Sequence, residues 1–518
     1  MMFFRTKYRV LLVNPETPAT YWGFQESTWF IGAKAAHIPL PLLTIASLLP
    51  VDWQVKLIDL NIERLRDEDI AWADAVLVTG MIIQKDSLVS VLDRCRNLGV
   101  PTVVGGPYVS SSPDAPELAA ATALVIGEAE DAGLIDGLAR DLEGRTLQPR
   151  YAAAGRPDMG SSPVPRYDLL KRGAYIAMAL QVSRGCPHLC EFCNVRMLFG
   201  RRPRYKTPEQ VTAELDAILA TGFNGNVFFV DDNFIGDIKA ARAVLEAVNG
   251  WQERHDRPFQ FYTEADIRLA ENETVADLMV KAGFFAVFLG LESPSAEALR
   301  ETAKVQNLRI DAGEAVRRLR QKGLLVYAGF IVGFDADRPD CFDRVREMIE
   351  VCRIDFAMAG MLIAIPGTPL EERLRSEGRL LQATGGDAFA ETNIVPKRMT
   401  RLELLRGYHE LIKKIYAPGS YFERAYAALA EWRQTKRRRV SLREVLAVPR
   451  SIVRQGIFST YSLHYWRFLL KTLFRHPRKI ARAFAAAISG HHFFRYTRKA
   501  VLPRLRQAEK KLLADGSG

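Results

Sequence analysis

The sequence predicts an α/β protein with two successive sheet domains and a helical C-terminal region. Short apolar runs alternate with helical patterns as far as residue 370, which is typical of parallel sheets. A polar, proline-containing stretch at 145–175 divides this alternation into two series, and only helical patterns follow from about residue 376. No run of about 18 uncharged apolar residues occurs, which excludes a multi-span membrane protein.

The first series predicts a doubly wound parallel sheet with a Rossmann-like arrangement. Its helices are predicted at 39–49, 89–99 and 131–144, and its strands at 7–15, 53–61, 73–81, 100–107 and 123–130. Ligands of such sheets bind outside the carboxyl ends of the strands. Small or flexible residues gather at these ends, where a bulky ligand needs close approach to the backbone.

The second series predicts six βα repeats, which suffice for an open partial barrel but not for a closed eightfold one. Its strands are predicted at 179–186, 225–234, 259–267, 284–293, 324–334 and 356–370. The predicted domains are therefore 1–145, a linker at 146–175, a partial (β/α)6 barrel at 176–375 and a basic helical region at 376–518.

Three of the six cysteines lie close together in the segment SRGCPHLCEFCNV. Six cysteines are too few for a disulfide scaffold in 518 residues and favour a reducing cytoplasm. Cys186, Cys190 and Cys193 form a C-x-x-x-C-x-x-C motif directly after a predicted strand. Structural zinc needs four ligands, so His188 would have to fold back into the same loop. Three thiolates on a four-iron cluster leave one iron open, and the motif favours such a cluster over zinc or incidental thiols.

This spacing, with Phe192 before the last cysteine, resembles the signature of the radical S-adenosylmethionine enzymes. The resemblance implies a 4Fe-4S cluster on the three cysteines. Its open iron would bind S-adenosylmethionine, which is cleaved to a 5′-deoxyadenosyl radical. The resemblance implies S-adenosylmethionine contacts from Phe192, Asp231, Asp232, Asn233, Glu264, Gly290 and Glu292. For each carboxylate in this set, the alternative is an ordinary surface residue without a ligand.

The N-terminal sheet resembles the cobalamin-binding subgroup of this family in residues 72–84, 103–114 and 125–131. No D-x-H-x-x-G motif is present, so the cobalt would be bound without an imidazole from the protein. The alternative is an empty Rossmann-like domain, while nicotinamide binding is disfavoured because no G-x-G-x-x-G follows the first strand. The resemblance implies cobalamin contacts from Thr79, Gly80, Met81, Gln84, Gly105, Gly106, Pro107, Gly127 and Glu128.

The net charge of +11 is unevenly distributed. Residues 401–518 carry 26 Lys and Arg against 7 Asp and Glu, whereas the first 400 carry 45 against 53. The basic region includes the tract KRRRV at 436–440. Three interpretations remain open: a surface that contacts anionic membranes, a helical cap that offsets the acidic remainder, and an RNA-binding surface. Since no RNA-binding motif is visible, no nucleic acid partner is expected.

The order of the domains resembles that of the hopanoid methylases and related enzymes that methylate lipids or tetrapyrroles. The sequence resembles this subgroup over nearly residues 8–380. The resemblance implies methylation of an unactivated carbon on a hydrophobic substrate, with an external flavodoxin- or ferredoxin-like electron donor. The expected location is the cytoplasm, at the inner face of the membrane if the basic region contacts lipid. One alternative is a cobalamin-assisted cyclisation, oxidation or rearrangement without methyl transfer. Another is a basic binding protein with a structural cluster.

Overall fold

The computed structural model describes residues 8–382, 384–434 and 440–514, so the basic residues of the KRRRV tract lie outside the described residues. The strands are β1 (Arg9–Asn14), β2 (Gln54–Asp59), β3 (Ala75–Thr79), β4 (Thr102–Gly105), β5 (Ala123–Ile126), β6 (Arg150–Ala152), β7 (Ala177–Leu180), β8 (Ser183–Arg184), β9 (Arg204–Tyr205), β10 (Asn226–Phe229), β11 (Gln260–Ala265), β12 (Phe284–Glu292), β13 (Leu325–Val332) and β14 (Ala357–Met361).

The α-helices are α1 (Gln25–Thr28), α2 (Leu40–Leu48), α3 (Asp67–Trp72), α4 (Lys85–Asn97), α5 (Pro107–Ser111), α6 (Leu134–Gly144), α7 (Val195–Phe199), α8 (Pro208–Ala220), α9 (Ile238–Arg254), α10 (Glu273–Ala282), α11 (Ala296–Glu301), α12 (Ala312–Lys322), α13 (Cys341–Val351), α14 (Pro369–Ser376), α15 (Arg401–Ile415), α16 (Pro418–Glu431), α17 (Leu442–Ser451), α18 (Ser462–Arg475), α19 (Ile480–Tyr496) and α20 (Leu502–Ala514).

The first sheet is parallel and has the strand order β2-β1-β3-β4-β5-β6. Helices cover both of its faces, so β1 is apolar at successive positions. Leu11 and Val13 enter the core shared with α3 and α4, while Val10 and Leu12 enter the core shared with α2 and α6. The reversal of strand order beside β1 makes this sheet doubly wound, as predicted.

The second sheet follows the chain in the order β7-β10-β11-β12-β13-β14, with all its strands parallel and helices between them. This is the predicted six-stranded partial barrel. Its first long helix, α8, begins at a capping box, in which the Thr207 hydroxyl accepts from the Gln210 amide and the Gln210 side chain accepts from the Thr207 amide. Pro208 at the first helical position needs no backbone partner there.

Three segments differ from the prediction. β6 lies inside the predicted linker and adds a sixth strand to the first sheet, pairing with β5. The predicted strand 179–186 is divided, because the Ser183 amide donates to the Asp231 carboxylate and β8 pairs with β9 instead. The helical pattern expected from about residue 376 resumes only at Arg401; the described part of 377–400 contains just a bridge between Leu380 and Ile394.

The C-terminal helices share one apolar core with the barrel. The Tyr408 hydroxyl donates to the Ala359 carbonyl in β14 (2.9 Å), and the Trp432 indole donates to the Gly323 carbonyl (2.6 Å). These contacts make the region a packed cap on the barrel. Among the described residues, no helix is both long and apolar enough to cross a bilayer.

Helix α19 also reaches back to the loop that follows β1. The Tyr496 hydroxyl donates to the Ala19 carbonyl (2.7 Å), and the Tyr21 hydroxyl lies 2.6 Å from that of Thr497. Arg495 pairs with Glu26 at 2.5 Å. Helix α19 and the residue after it therefore fix the path of the chain between β1 and α2.

Candidate active site

A cavity of about 960 Å³ lies between the carboxyl ends of the two sheets. The barrel contributes Gln181, Arg184, Phe228, Asp232 and Glu264 to its wall, among other residues. All nine residues predicted to contact cobalamin line this cavity: Thr79, Gly80, Met81, Gln84, Gly105, Gly106, Pro107, Gly127 and Glu128. The structure therefore brings the strand ends of both sheets to one shared cavity.

Two glycines of the first sheet adopt backbone conformations that favour glycine. Gly106 has φ +100°, and a Cβ there would lie 2.4 Å from the Thr79 hydroxyl. Gly127 has φ +91°, and its Cβ would lie 2.8 Å from that of Ala153. A side chain at either position would strain the turn and collide with the neighbouring strand end. The wall here is made largely of backbone, which suits close approach of a large flat ligand.

Two of these nine residues, Gln84 and Glu128, form hydrogen bonds and ion pairs with other parts of the protein. The Gln84 amide group donates to the Pro15 carbonyl (2.8 Å) and the Thr17 hydroxyl (3.1 Å). Glu128 is buried and accepts from Arg184 (2.8 Å) and Arg204 (2.6 Å), while Arg184 also pairs with Glu130 at 2.6 Å. Gln84 holds two loops together, and Glu128 ties the first sheet to the β8–β9 hairpin. The sequence does not indicate either arginine as a partner of Glu128, since 56 residues separate Glu128 from Arg184.

The three polar residues after β10 take different positions. The Asp231 carboxylate accepts from the Ser183 hydroxyl (2.7 Å), and its Oδ2 is buried without a hydrogen-bond partner among the described residues. The Asp232 carboxylate accepts from the Gly185 amide at 3.1 Å and lines the cavity. The Asn233 side-chain amide donates to Asp266 (2.8 Å) and lies 3.8 Å from the Cys186 sulfur.

Carboxylates crowd this side of the cavity. Burial raises the pKa of Asp231 to about 7 and that of Asp232 to about 6. Burial, together with repulsion from Asp232 and Glu292, raises the pKa of Glu264 to about 7. A cationic ligand group placed among them would relieve the repulsion and restore the charged forms. The arrangement therefore suits a ligand that carries an ammonium or sulfonium group.

The cysteine loop turns sharply before its first thiol. Gly185 has φ +94°, and a Cβ there would lie 3.0 Å from the Gly200 carbonyl oxygen, which accepts from the Cys186 amide. Cys186, Cys190 and Cys193 are free thiols of intermediate exposure. Burial raises the pKa of Cys193 to about 12 and also raises that of Cys186, so iron would have to displace protons from these sulfurs.

The surroundings of the thiols fit an iron–sulfur cluster. Amide groups of Asn233 and Gln306 each lie 3.8 Å from a cysteine sulfur, as N–H donors to cluster ligands do. His188, considered above as a zinc ligand, lies 2.8 Å from the Asp266 carboxylate instead. Within the described ranges, no three His, Cys, Asp or Glu side chains form a group that could hold a metal ion. The three cysteine sulfurs therefore lie along one loop without meeting at one point, and binding of a cluster would draw them together.

A buried ion pair lies beside the cysteines. Lys304 Nζ is 2.8 Å from Glu292 Oε1. Burial alone would lower the pKa of Lys304, but Glu292 and the nearby Cys190 raise it overall. A Cβ on Gly290 would lie 2.4 Å from Glu292 Oε1 and 2.9 Å from Lys304 Nζ, so glycine leaves room for the pair. The sequence predicted Gly290 and Glu292 as site residues but gave no sign of Lys304, which follows an irregular turn.

Phe192 occupies a small apolar cluster beside the loop. Its ring lies 6.0 Å from that of Phe334, measured between centroids, and it is partly buried. The neighbouring Glu191 pairs with Arg373 at 2.6 Å, which anchors the loop to α14. The ring is thus held at a fixed place next to the last cysteine.

The chain matches two family models. Residues 180–349 match the Radical SAM superfamily, and residues 368–503 match a domain of unknown function, DUF4070. An uncharacterized methyltransferase of Synechocystis is 35% identical over 494 residues, which cover 94% of this chain and 92% of the relative. The hopanoid C-2 methylase of Rhodopseudomonas palustris is 34% identical over 507 residues, with 96% and 95% coverage.

A solved structure supports the fold over almost the whole length. The cobalamin-dependent S-adenosylmethionine radical enzyme OxsB, with aqua-cobalamin bound, matches with a TM-score of 0.60 at 15% identity, covering 98% of this chain and 81% of that one. The predicted fold class and enzyme class are confirmed. Through its radical SAM match and the two relatives named above, the chain belongs to the radical S-adenosylmethionine methyltransferases, whose cofactors are a 4Fe-4S cluster and S-adenosylmethionine.

Proposed function

We propose that the protein methylates an unactivated carbon of a hydrophobic substrate of the hopanoid, lipid or tetrapyrrole class. The observation that carries this proposal is the cavity of about 960 Å³ that the strand ends of both sheets share. A radical formed at the barrel and a methyl donor held by the first sheet would meet one substrate there. The resemblance in length and sequence to a hopanoid C-2 methylase supports the substrate class.

The cavity wall supports an apolar substrate. Trp22, Ile38, Phe228 and Phe389 contribute large apolar side chains to it. The rings of Trp22 and Phe288 pack at 4.8 Å, and Phe228 stacks on Tyr262 at 4.6 Å, so these walls are supported from behind. Preformed apolar walls with few polar groups are typical of sites for apolar ligands.

We assign roles to the predicted residues on this basis. Cys186, Cys190 and Cys193 hold the cluster, and Asp232 and Glu264 face the cationic part of S-adenosylmethionine. Gly105, Gly106 and Gly127 let the corrin approach the backbone, while Gln84 and Glu128 position the loops around it. When bound, the cluster supplies an electron, S-adenosylmethionine a radical or a methyl group, and cobalamin carries the methyl group. An external donor of the flavodoxin or ferredoxin class supplies the electron.

Product analysis tests the proposal. Anaerobically reconstituted protein with reductant, hydroxocobalamin, labelled S-adenosylmethionine and a hopanoid, glycerolipid or porphyrin substrate should form deoxyadenosine and S-adenosylhomocysteine together. Deoxyadenosine alone would instead support cyclisation, oxidation or rearrangement without methyl transfer. Formation of neither product from any of these substrates would count against the proposal.

A cysteine pair provides the matched control. Cys190→Ala should abolish deoxyadenosine formation and the iron–sulfur absorbance, since it removes one of three cluster ligands. Cys95→Ala changes a buried thiol in the first sheet's core and should preserve both. If Cys190→Ala kept full activity, the cluster would be structural and the chain a binding protein.

A further inference from the structure

Helices α17 and α18 turn apolar side chains toward solvent. Helix α17, residues 452–461 that connect it to α18, and α18 together form what we name the outer face. Phe458 is 75% exposed, Leu463 78% and Phe474 80%. The large apolar residues exposed on the outer face are Leu442, Val445, Leu446, Val453, Ile457, Phe458, Leu463, Leu470, Leu473 and Phe474.

The exposure follows helical spacing. In α17, Leu442, Val445 and Leu446 face solvent, while Ala447 and Ser451 are buried. In α18, the buried side is formed by Tyr465, Phe468, Leu469 and Thr472, and both helices contact α19. A surface helix normally presents polar residues outward. The outer face therefore carries a second apolar stripe besides the one that packs into the core.

Basic residues accompany this stripe. Residues 451–500 contain ten Lys and Arg and no Asp or Glu. Arg454, Arg467 and Lys471 are exposed on the same segments as the apolar side chains. Exposed aromatics and leucines surrounded by cations complement a surface with an anionic headgroup layer over an apolar interior.

We propose that the outer face docks on an anionic lipid bilayer. A second copy would offer little acidic surface on the same helices, because α17 has a single carboxylate, Glu444, and residues 451–500 have none. Apolar side chains of the outer face enter the headgroup region, and the arginines and lysines pair with phosphates. The protein thereby attaches at one side without a spanning helix.

The outer face lies near one wall of the cavity. The meaning of this position for the substrate rests on the proposed function. Arg450 donates to the Phe30 carbonyl (3.0 Å) and lies near Trp29, which is 56% exposed. The chain that follows, from Lys34 to Ile45, lines the cavity. Docking would place the wall nearest α17 at the bilayer, where an apolar substrate resides.

Vesicle flotation of the full-length protein tests the docking. We expect flotation with vesicles of equal parts phosphatidylcholine and phosphatidylglycerol, and much less with phosphatidylcholine alone or at high salt. Phe458→Asp with Phe474→Asp should lower the bound fraction at least roughly tenfold, as expected when two exposed aromatic anchors are lost. Arg454→Glu with Arg467→Glu should weaken binding to anionic vesicles specifically.

The control is Val351→Asp, which changes an apolar residue that is 69% exposed on α13, away from the outer face. It should float like the unchanged protein, and urea unfolding should show that all variants remain folded. The proposal fails if the unchanged protein does not float with anionic vesicles, or if the double aspartate variant floats equally well. It also fails if sedimentation shows that the unchanged protein is a dimer and that the double aspartate variant is a monomer. Because flotation needs no cofactor, its outcome is independent of the methylation assay.

Discussion

The pKa of Glu264 depends on its burial and on the carboxylates around it. Its folded-state pKa is about 7, above the ordinary value of 4.5, because burial and neighbouring carboxylates disfavour its charge. The unfolded chain ionises at the ordinary value, so the folded state holds an extra proton between these two values. The stability from this group is complete below the unfolded pKa and is lost as the pH rises through the folded pKa.

We therefore predict that Glu264→Gln stabilises the cofactor-free protein at about pH 8, by about 1–3 kcal/mol, and changes little at about pH 4. Urea unfolding midpoints at the two pH values measure this. Glu246→Gln, at a side chain that is 59% exposed, is the control and should give equal shifts near zero. Equal effects of Glu264→Gln at both pH values would contradict the prediction.

At the scale of elements, the β8–β9 hairpin depends on a buried charge network. Arg184 and Arg204, one from each strand, both pair with Glu128 at the end of the first sheet. The three side chains are at most 14% exposed. Removing one member of such a network leaves charges buried without a partner, which is costly. The hairpin flanks the cysteine loop, so its position also sets that of the loop.

We expect Glu128→Gln to destabilise the hairpin by about 3 kcal/mol. Amides of residues 183–205 should exchange hydrogen faster, and less iron should be retained after reconstitution. Asp67→Asn, which breaks an exposed pair with Arg94, should cost below about 1 kcal/mol and leave the hairpin unchanged. Unaltered exchange in the hairpin of Glu128→Gln would show that the network does not hold it.

Across the molecule, the barrel and the C-terminal helices share one apolar core, while the first sheet has two cores of its own. Tyr421 belongs to the shared core, where it is fully buried and donates to the Ala486 carbonyl (2.7 Å). Destabilising the cap should therefore destabilise the barrel strands equally.

Tyr421→Ala should reduce the free energy of opening of β13 and β14 by about 3–5 kcal/mol, as large-to-small changes in cores do. Native-state hydrogen exchange should show the same reduction in α16 and no change in α4. A loss confined to α16 and α19 would mean that the cap unfolds on its own.

Local patterns predicted most of the fold. Alternating apolar runs predicted both sheets, and three cysteines within eight residues predicted the cluster. β6 escaped detection because it is a short edge strand of mixed polarity, Arg-Tyr-Ala, with little buried surface. The pairs Glu128–Arg184 and Glu292–Lys304 join residues that have no periodic relation, so only the folded chain shows them. The exposure of the apolar residues in α17 was not indicated by the sequence either, because an apolar helical pattern does not show which of its sides is covered.

The contact between α19 and the loop after β1 has an evolutionary consequence. The loop from Thr20 to Gln25 contributes to the cavity wall, yet its course is set by a helix more than 450 residues away in the sequence. Substitutions in that distant helix would reshape the space for substrate without altering any strand end. A lineage of such enzymes could therefore acquire new substrates while its cysteine loop and its strand ends stay constant.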